Sequence, residues 1–156
     1  MRRNLICMGI ILALVIPAQA QETETASRGW FVLRLWEWAG SVPYGISDTF
    51  SDVEPNSDWM EPVAWAEAWG LIQGDGCGFF YPDAPLTYGH LELILSRYDA
   101  CLNRPGGIYC PNAPSDAPVT VGEAERIIGK FYRDGAFAPS LLYQKQIVLP
   151  VWMGKT

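Results

Sequence analysis

The stretch Asp83-Ala84-Pro85-Leu86-Thr87-Tyr88-Gly89-His90 recurs as Asp116-Ala117-Pro118-Val119-Thr120-Val121-Gly122-Glu123, and a looser third copy begins at Ala26-Ser27-Arg28-Gly29-Trp30. Each copy reads small or apolar, then Ser/Thr, any residue and Gly, followed by an apolar helical pattern. A hydroxyl in that position accepts a hydrogen bond from a first-turn N–H with no partner inside the helix, so Ser27, Thr87 and Thr120 are predicted N-caps. Downstream the copies align as Phe31/Leu91/Ala124, Leu35/Leu95/Ile128 and Trp38/Tyr98/Phe131. Spacings of four and three put each set on one helical face, so the three helices are expected to bury a common face against one another. Leu86 and Leu91 are placed for a hydrophobic staple, Thr120 and Glu123 for a capping box, and Gly40 and Gly135 for C-terminal stops. Internal repetition of this kind marks a repeat architecture in which no single unit can bury its own core.

The connectors differ. Between the first two helices, Phe50-Ser51-Asp52-Val53 precedes Asp58 to Gly70, which reads as a short helix capped by Asp58, with Pro62 in its first turn and Gly70 as its stop. Leu71-Ile72-Gln73-Gly74, a tight turn at Gly74-Asp75-Gly76-Cys77-Gly78 and Phe79-Phe80-Tyr81-Pro82 follow. The second connector, from Asp99 to Asp116, has no room for a helix and carries the turn cluster Arg104-Pro105-Gly106-Gly107. The fold class is therefore mainly α: three capped helices in a small bundle joined by loop-and-short-helix connectors.

Composition limits what this bundle can do. The 156 residues include seven Trp, one His and a formal charge of −6. An acidic chain without a basic stripe is a poor partner for nucleic acid. A single histidine, His90, excludes most histidine-ligated metal sites. The acids Asp48, Asp52, Glu54 and Asp58 do not follow a calcium-loop spacing. No metal or other cofactor is expected, nor is catalysis: Cys77 with His90 is the one thiol–imidazole pairing available, and nothing nearby in sequence orients it.

Residues 1–20 read as a signal peptide, with Arg2 and Arg3, an apolar run from Leu5 to Ile16, and Pro17-Ala18-Gln19-Ala20 as the cleavage site. The apolar run is too short to span a bilayer, so no transmembrane span is expected in the mature chain. Losing the leader's two arginines takes the charge from −6 to −8. The expected product is secreted, an oxidising setting in which Cys101 and Cys110, flanking eight residues around Pro-Gly-Gly, are placed for a local disulfide, leaving Cys77 as the odd thiol. Residues 21–135 form the expected helical domain. The apolar tail 136–156 is expected to lie extended and docked on it, since an exposed segment of that composition invites aggregation.

Phe50-Ser-Asp-Val53, Trp59, Val63-Ala64-Trp65-Ala66, Gly70-Leu-Ile-Gln-Gly74, Phe80-Tyr-Pro82 and Leu86-Thr87 occur in the order that an S-layer homology (SLH) repeat uses. The chain resembles that family strongly over Phe50 to Tyr98, moderately over Ser27 to Gly40 and weakly over Val119 to Gly135. The resemblance implies three repeats about a pseudo-threefold axis, with the capped helices as a central bundle. It also implies non-covalent binding of an anionic secondary polymer linked to peptidoglycan, frequently a pyruvylated one, at the cell surface of a bacterium. The family's Thr-Arg-Ala-Glu motif meets the acidic groups through its Arg. Here it reads Ser27-Arg28-Gly29-Trp30, Thr87-Tyr88-Gly89-His90 and Thr120-Val121-Gly122-Glu123, so Arg28 alone stands at the Arg position. A guanidinium suits this task because its planar fork pairs a carboxylate bidentately.

Candidate ligand-binding residues are thus Arg28, with Arg34 as the neighbouring cation, and Trp30 and Trp59 as sugar-stacking rings. Trp30 lies on the polar side of its helix with Arg34 and Glu37, where it either stacks on a glycan or covers a neighbouring connector. At spacings of six and four, Trp59, Trp65 and Trp69 do not share one face, so at least one belongs to the core. The rival reading is a degenerate SLH-like structural domain that engages another envelope protein through its aromatic surface.

Overall fold

Three backbone hydrogen bonds close a ring at the centre of the molecule: Ala26 N–H donates to Val119 O at 2.9 Å, Val119 N–H to Leu86 O at 2.9 Å, and Leu86 N–H to Ala26 O at 2.8 Å. Each ring residue immediately precedes one of the predicted N-caps. A second set repeats the relation two residues on, with Arg28, Tyr88 and Val121 N–H donating to Ala84, Ala117 and Glu24 carbonyls at 2.9, 3.1 and 2.8 Å. The three repeats are therefore related by a pseudo-threefold axis through this ring. This computed structural model describes residues 22–43 and 50–134. The leader, Asp48, Gly135 and the tail 136–156 lie outside the described residues.

Among the described residues, four helices are arranged around the ring: α1 (Arg28–Trp38), α2 (Met60–Ala68), α3 (Tyr88–Cys101) and α4 (Val121–Asp134). Among the described residues, extended pairing is limited to three antiparallel bridges, Thr25 with Thr120, Ser27 with Pro85 and Thr87 with Pro118. The caps form as expected. Ser27 Oγ accepts from Trp30 N–H at 3.2 Å, Thr87 Oγ1 from His90 N–H at 3.3 Å and Thr120 Oγ1 from Glu123 N–H at 3.3 Å. The glycine two residues after each cap has a steric reason. A Cβ on Gly29 would lie 3.1 Å from Pro82 O, on Gly89 2.9 Å from Ser115 O, and on Gly122 3.0 Å from Glu22 O. The helix N-termini are thus pressed against the segment entering the neighbouring repeat, closer than a methyl group allows.

The ends of the first three helices share one device. After α1 and α2, Gly40 (φ 96°) and Gly70 (φ 68°) take the left-handed conformation. Gly40 N–H donates to Glu37 O and Ser41 N–H to Trp36 O; Gly70 N–H donates to Glu67 O and Leu71 N–H to Ala66 O. These are the paired bonds of a Schellman stop. Asn103 (φ 53°) does the same after α3, with Asn103 N–H to Ala100 O and Arg104 N–H to Asp99 O. Asn is the residue besides Gly that best tolerates this region.

Phe31, Leu91, Ala124, Leu35, Leu95 and Ile128 are all fully buried, as are Leu86 and Leu91 of the expected staple. The third rung departs from expectation. Tyr98 and Phe131 are buried with their rings 5.4 Å apart, but Trp38 is 40% exposed and stacks on Tyr132 at 5.3 Å. Trp38 is the last residue of its helix, whereas α3 and α4 each continue for three more residues. At the end of α1 the buried position goes to Ala39 instead. Tyr132 ties α4 to α1 by donating its hydroxyl to Leu35 O at 3.0 Å. Trp65 supplies the connector's share of the core, 1% exposed and edge-on to Tyr98 at 5.8 Å.

Three local expectations are corrected. Asp58 does not cap α2: the N-cap is Trp59 in helical conformation, and the chain enters directly from a turn in which Ser57 N–H and Oγ both donate to Glu54 O. Glu123 does not turn back to complete a capping box with Thr120; its carboxylate accepts instead from the Tyr88 hydroxyl and from Arg126 at 3.3 Å. Cys101 and Cys110 are not bridged to each other. The Cys101 thiol is turned to Trp69 O at 3.1 Å, while Cys110 N–H is held by Glu92 Oε2 at 3.0 Å.

Carboxylates take the place of the bridge in ordering the second connector. Asp99, wholly buried, pairs with Arg104 at 3.2 Å and accepts from Gly107 N–H and the Tyr109 hydroxyl. The Arg104 guanidinium in turn covers the Phe131 ring at 4.6 Å. Burial and the adjacent Asp99 both raise the Tyr109 pKa, so its hydroxyl remains a donor. A charge buried this way is retained only when it is paired and hydrogen-bonded.

Candidate functional site

Asp52 joins the two halves of the central repeat. Its carboxylate accepts from Phe80 N–H at 2.9 Å and Tyr81 N–H at 2.6 Å, while the Phe50 and Phe80 rings meet at 5.6 Å. This clasp carries the Phe80-Tyr81-Pro82 strip past the start of α1, where Gly29 N–H donates to Pro82 O at 2.7 Å. The strip, residues 71–75, the N-terminus of α1 and one side of α3 then enclose an open groove of about 300 Å³.

Two arginines face into it from different repeats. Arg28 lies with its guanidinium 4.8 Å over the Phe80 ring. Burial lowers its pKa and the Asp52 charge raises it again, but a guanidinium stays protonated at neutral pH in either case. Arg97, one helical repeat of seven after His90 on α3, donates to Leu71 O at 3.2 Å and Gln73 Oε1 at 3.1 Å, which fixes its position on the wall. His90 lines the same groove, its Nδ1 3.1 Å from Thr87 Oγ1. Its pKa is lowered, first by burial and then by the Arg28 charge. Among the described residues lining the groove, Asp75 is the one acid. A cationic groove in an acidic chain is suited to a ligand with a carboxylate or phosphate.

The other two junctions have a different chemistry. The residue after each cap faces the fourth residue of the next cap motif, so Arg28 meets His90 in the groove. In the second junction Tyr88 replaces the arginine and donates its hydroxyl to Glu123; that bond and desolvation push the Tyr88 pKa up to about 12. In the third, Val121 replaces it and shares a cavity of about 250 Å³ with Trp30 and Trp59. A larger outer cavity beside Val121 is lined by Glu22, Glu123 and Glu125, with Arg126 paired to Glu123. Of the three pseudo-equivalent positions, one is cationic, one closed by a hydrogen bond and one apolar with an acidic rim.

The structure does not bring the four sequence-derived candidates together. Arg28 is in the groove. Trp30 and Trp59 line the Val121 cavity, with Trp59 also packed over Gly29. Arg34 is paired with Glu37 and, at 2.5 Å, with Glu125, so two carboxylates already surround its charge. Sequence reasoning missed Arg97, Gln73 and Tyr81 and assigned His90 no binding role. The i, i+3, i+4, i+7 set His90, Leu93, Ile94 and Arg97, flanking the core face of α3, is the signal that could have found the first and last of these.

Residues 49–91 match the sequence model of the S-layer homology domain family, whose members act as non-catalytic anchors to cell-wall polymers. The match covers the connector, the Asp52 clasp and the first turn of α3. No curated protein matches the chain. Among the described residues no helix is long and apolar enough to cross a membrane.

Proposed function

We propose that the protein is an exported, cell-wall-associated module that holds an anionic secondary polymer of the wall, non-covalently, in the Arg28–Arg97 groove. The observation that carries this reading is the convergence of Arg28, Arg97 and His90, from two repeats, on one groove at the one junction where the residue after the cap is a cation. Arg28 stands at the arginine position of the motif that the resemblance identifies. The groove supplies what that position requires: an approach of about 300 Å³, a second guanidinium, and a ring beneath the first that holds it in place. Local cations must overcome the overall negative charge, which at −8 without the leader's two arginines repels an anionic chain at long range. Binding therefore depends on one junction and not on three.

The test is sedimentation of the protein with purified cell walls, before and after chemical removal of the secondary polymer, for the native chain and Arg28→Ala. Pelleting that disappears with the polymer and with Arg28→Ala supports the reading. No pelleting with intact walls refutes it, and pelleting unchanged by polymer removal transfers the interaction to peptidoglycan or a protein.

A further inference from the structure

Tyr81 is held in a conformation that costs energy and presents its ring at the edge of the groove. Its φ of 58° lies in the left-handed region, which a Cβ disfavours and which persists where surrounding structure enforces it, often at binding sites. Two acids enforce it here. Asp52 takes the Tyr81 N–H at 2.6 Å, and Asp75 takes its hydroxyl at 2.8 Å. Phe79 backs the ring, stacked at 5.8 Å and 22° between planes. With one face covered, Tyr81 remains 47% exposed and forms part of the groove wall that includes Arg28 and Arg97. Packing against Phe79 accounts for one side of this ring, and the exposed remainder borders the groove.

We infer that Tyr81 is a second subsite: it stacks on the face of an uncharged sugar adjoining the acidic sugar that the arginines hold. The inference rests on the Arg28 reading and adds the ligand's sequence to it. The C–H groups on a pyranose face carry partial positive charge and pack on the electron-rich face of an aromatic ring. The charge distribution selects what lies there. Asp75 and Asp52 flank Tyr81, and the Asp75 carboxylate is stabilised in its charged form first by the Cys77 N–H and then by the Tyr81 hydroxyl. An anion over Tyr81 would therefore be repelled, while the end of the groove with Arg28, Arg97 and His90 attracts one. The ligand class is a glycan in which an acidic residue and a neutral residue are adjacent. Because the ring is already ordered, stacking costs little conformational entropy.

The probes are an acidic monosaccharide and a short oligosaccharide, both released from the secondary polymer of purified walls and titrated calorimetrically into the full chain. Tyr81→Ala is expected to weaken the oligosaccharide about tenfold, as the loss of one stacked ring would, and to leave the monosaccharide unchanged. Tyr81→Phe keeps the ring and most of the affinity. Tyr81→Gly relieves the backbone, so it is expected to lose the same affinity without lowering the melting temperature, an outcome that a purely structural Tyr81 would not give. Equal weakening of both probes by Tyr81→Ala, no weakening of either, or a melting temperature of Tyr81→Gly that falls in step with affinity would overturn the inference. Arg28→Ala is expected to weaken both probes. If it weakens neither while Tyr81→Ala still weakens the oligosaccharide, the Arg28 reading fails and the Tyr81 subsite stands. A native chain that binds neither probe removes both.

Discussion

Gly89 and Gly129 are both helical, yet the same substitution at the two is expected to act in opposite directions. Replacing Gly by Ala inside a helix ordinarily stabilises by about 0.5–1 kcal/mol, because the unfolded chain loses freedom and the helix gains propensity. At Gly129 nothing opposes that gain: a Cβ would first meet Arg133 Nη1, at 3.4 Å, the tip of a side chain that can move aside. At Gly89 the Cβ would lie 2.9 Å from Ser115 O and 3.3 Å from its Cβ, and the carbonyl is backbone that cannot rotate away. That is about 0.4 Å inside an ordinary carbon–oxygen contact. Relief requires the 115 segment to move, which stretches the 2.8 Å hydrogen bond from Gly89 N–H to Ser115 O, worth about 1 kcal/mol, and adds an overpacking cost of about 1–3 kcal/mol. Set against the propensity gain, Gly89→Ala should destabilise by about 1–3 kcal/mol and Gly129→Ala should stabilise by about 0.5–1 kcal/mol. Urea unfolding followed by tryptophan fluorescence reads both, and melting temperatures should diverge by about 4 °C or more per kcal/mol. If Gly89→Ala stabilises as Gly129→Ala does, the repeats do not approach as closely as the central ring requires, and the threefold arrangement is wrong.

Three other outcomes follow from the same geometry. Asp52→Ala removes the acceptor for Phe80 and Tyr81 N–H and should cost about 2 kcal/mol in urea unfolding, with Ser51→Ala a near-neutral control. Leu95→Ala, at a fully buried position between the helices, should cost about 3 kcal/mol. His90 has a native pKa below its ordinary 6.5, so its contribution to stability is present above that value and is lost as pH falls through the lowered native pKa. A bound anion favours the charged imidazole, so affinity for polymer fragments should rise as pH falls from about 7.5 to about 5.5. Arg28 is the charge that acts on His90, with Arg97 and Asp75 lining the same groove, and His90→Gln should remove most of that dependence while leaving Arg28 binding intact.

The parts of the fold that were legible in sequence are those whose cause is local. A hydroxyl before an apolar face dictates a cap, and 3.6-residue spacing dictates which side is buried, so Ser27, Thr87, Thr120 and the Leu35/Leu95/Ile128 rung could be read directly. Trp38 could not, because its exposure depends on where α1 stops. Nor could the roles of Glu123 and Asp99. Glu123 was free to choose between its own helix and Tyr88 of another, and the pairing of Asp99 with Arg104 and Tyr109 depends on how the second connector folds back. Arg28 was visible through its motif position. Arg97, Gln73 and Tyr81 were not, since they come from separate elements and converge only after the Asp52 clasp draws Phe80 and Tyr81 to the first helix. Arg34 was misleading for the same reason: its acidic partner Glu125 is 91 residues away.

One junction, through Arg28, is proposed to hold an anionic wall polymer. The most direct measurement is the affinity of purified secondary polymer for the native chain, Arg28→Ala and Arg34→Ala, at matched low ionic strength. The groove geometry predicts a loss of at least about tenfold for Arg28→Ala and no loss for Arg34→Ala, whose charge is already met by Glu37 and Glu125. Equal losses for the two would show that the polymer responds to overall charge and not to this groove, and an unchanged Arg28→Ala would contradict the claim outright.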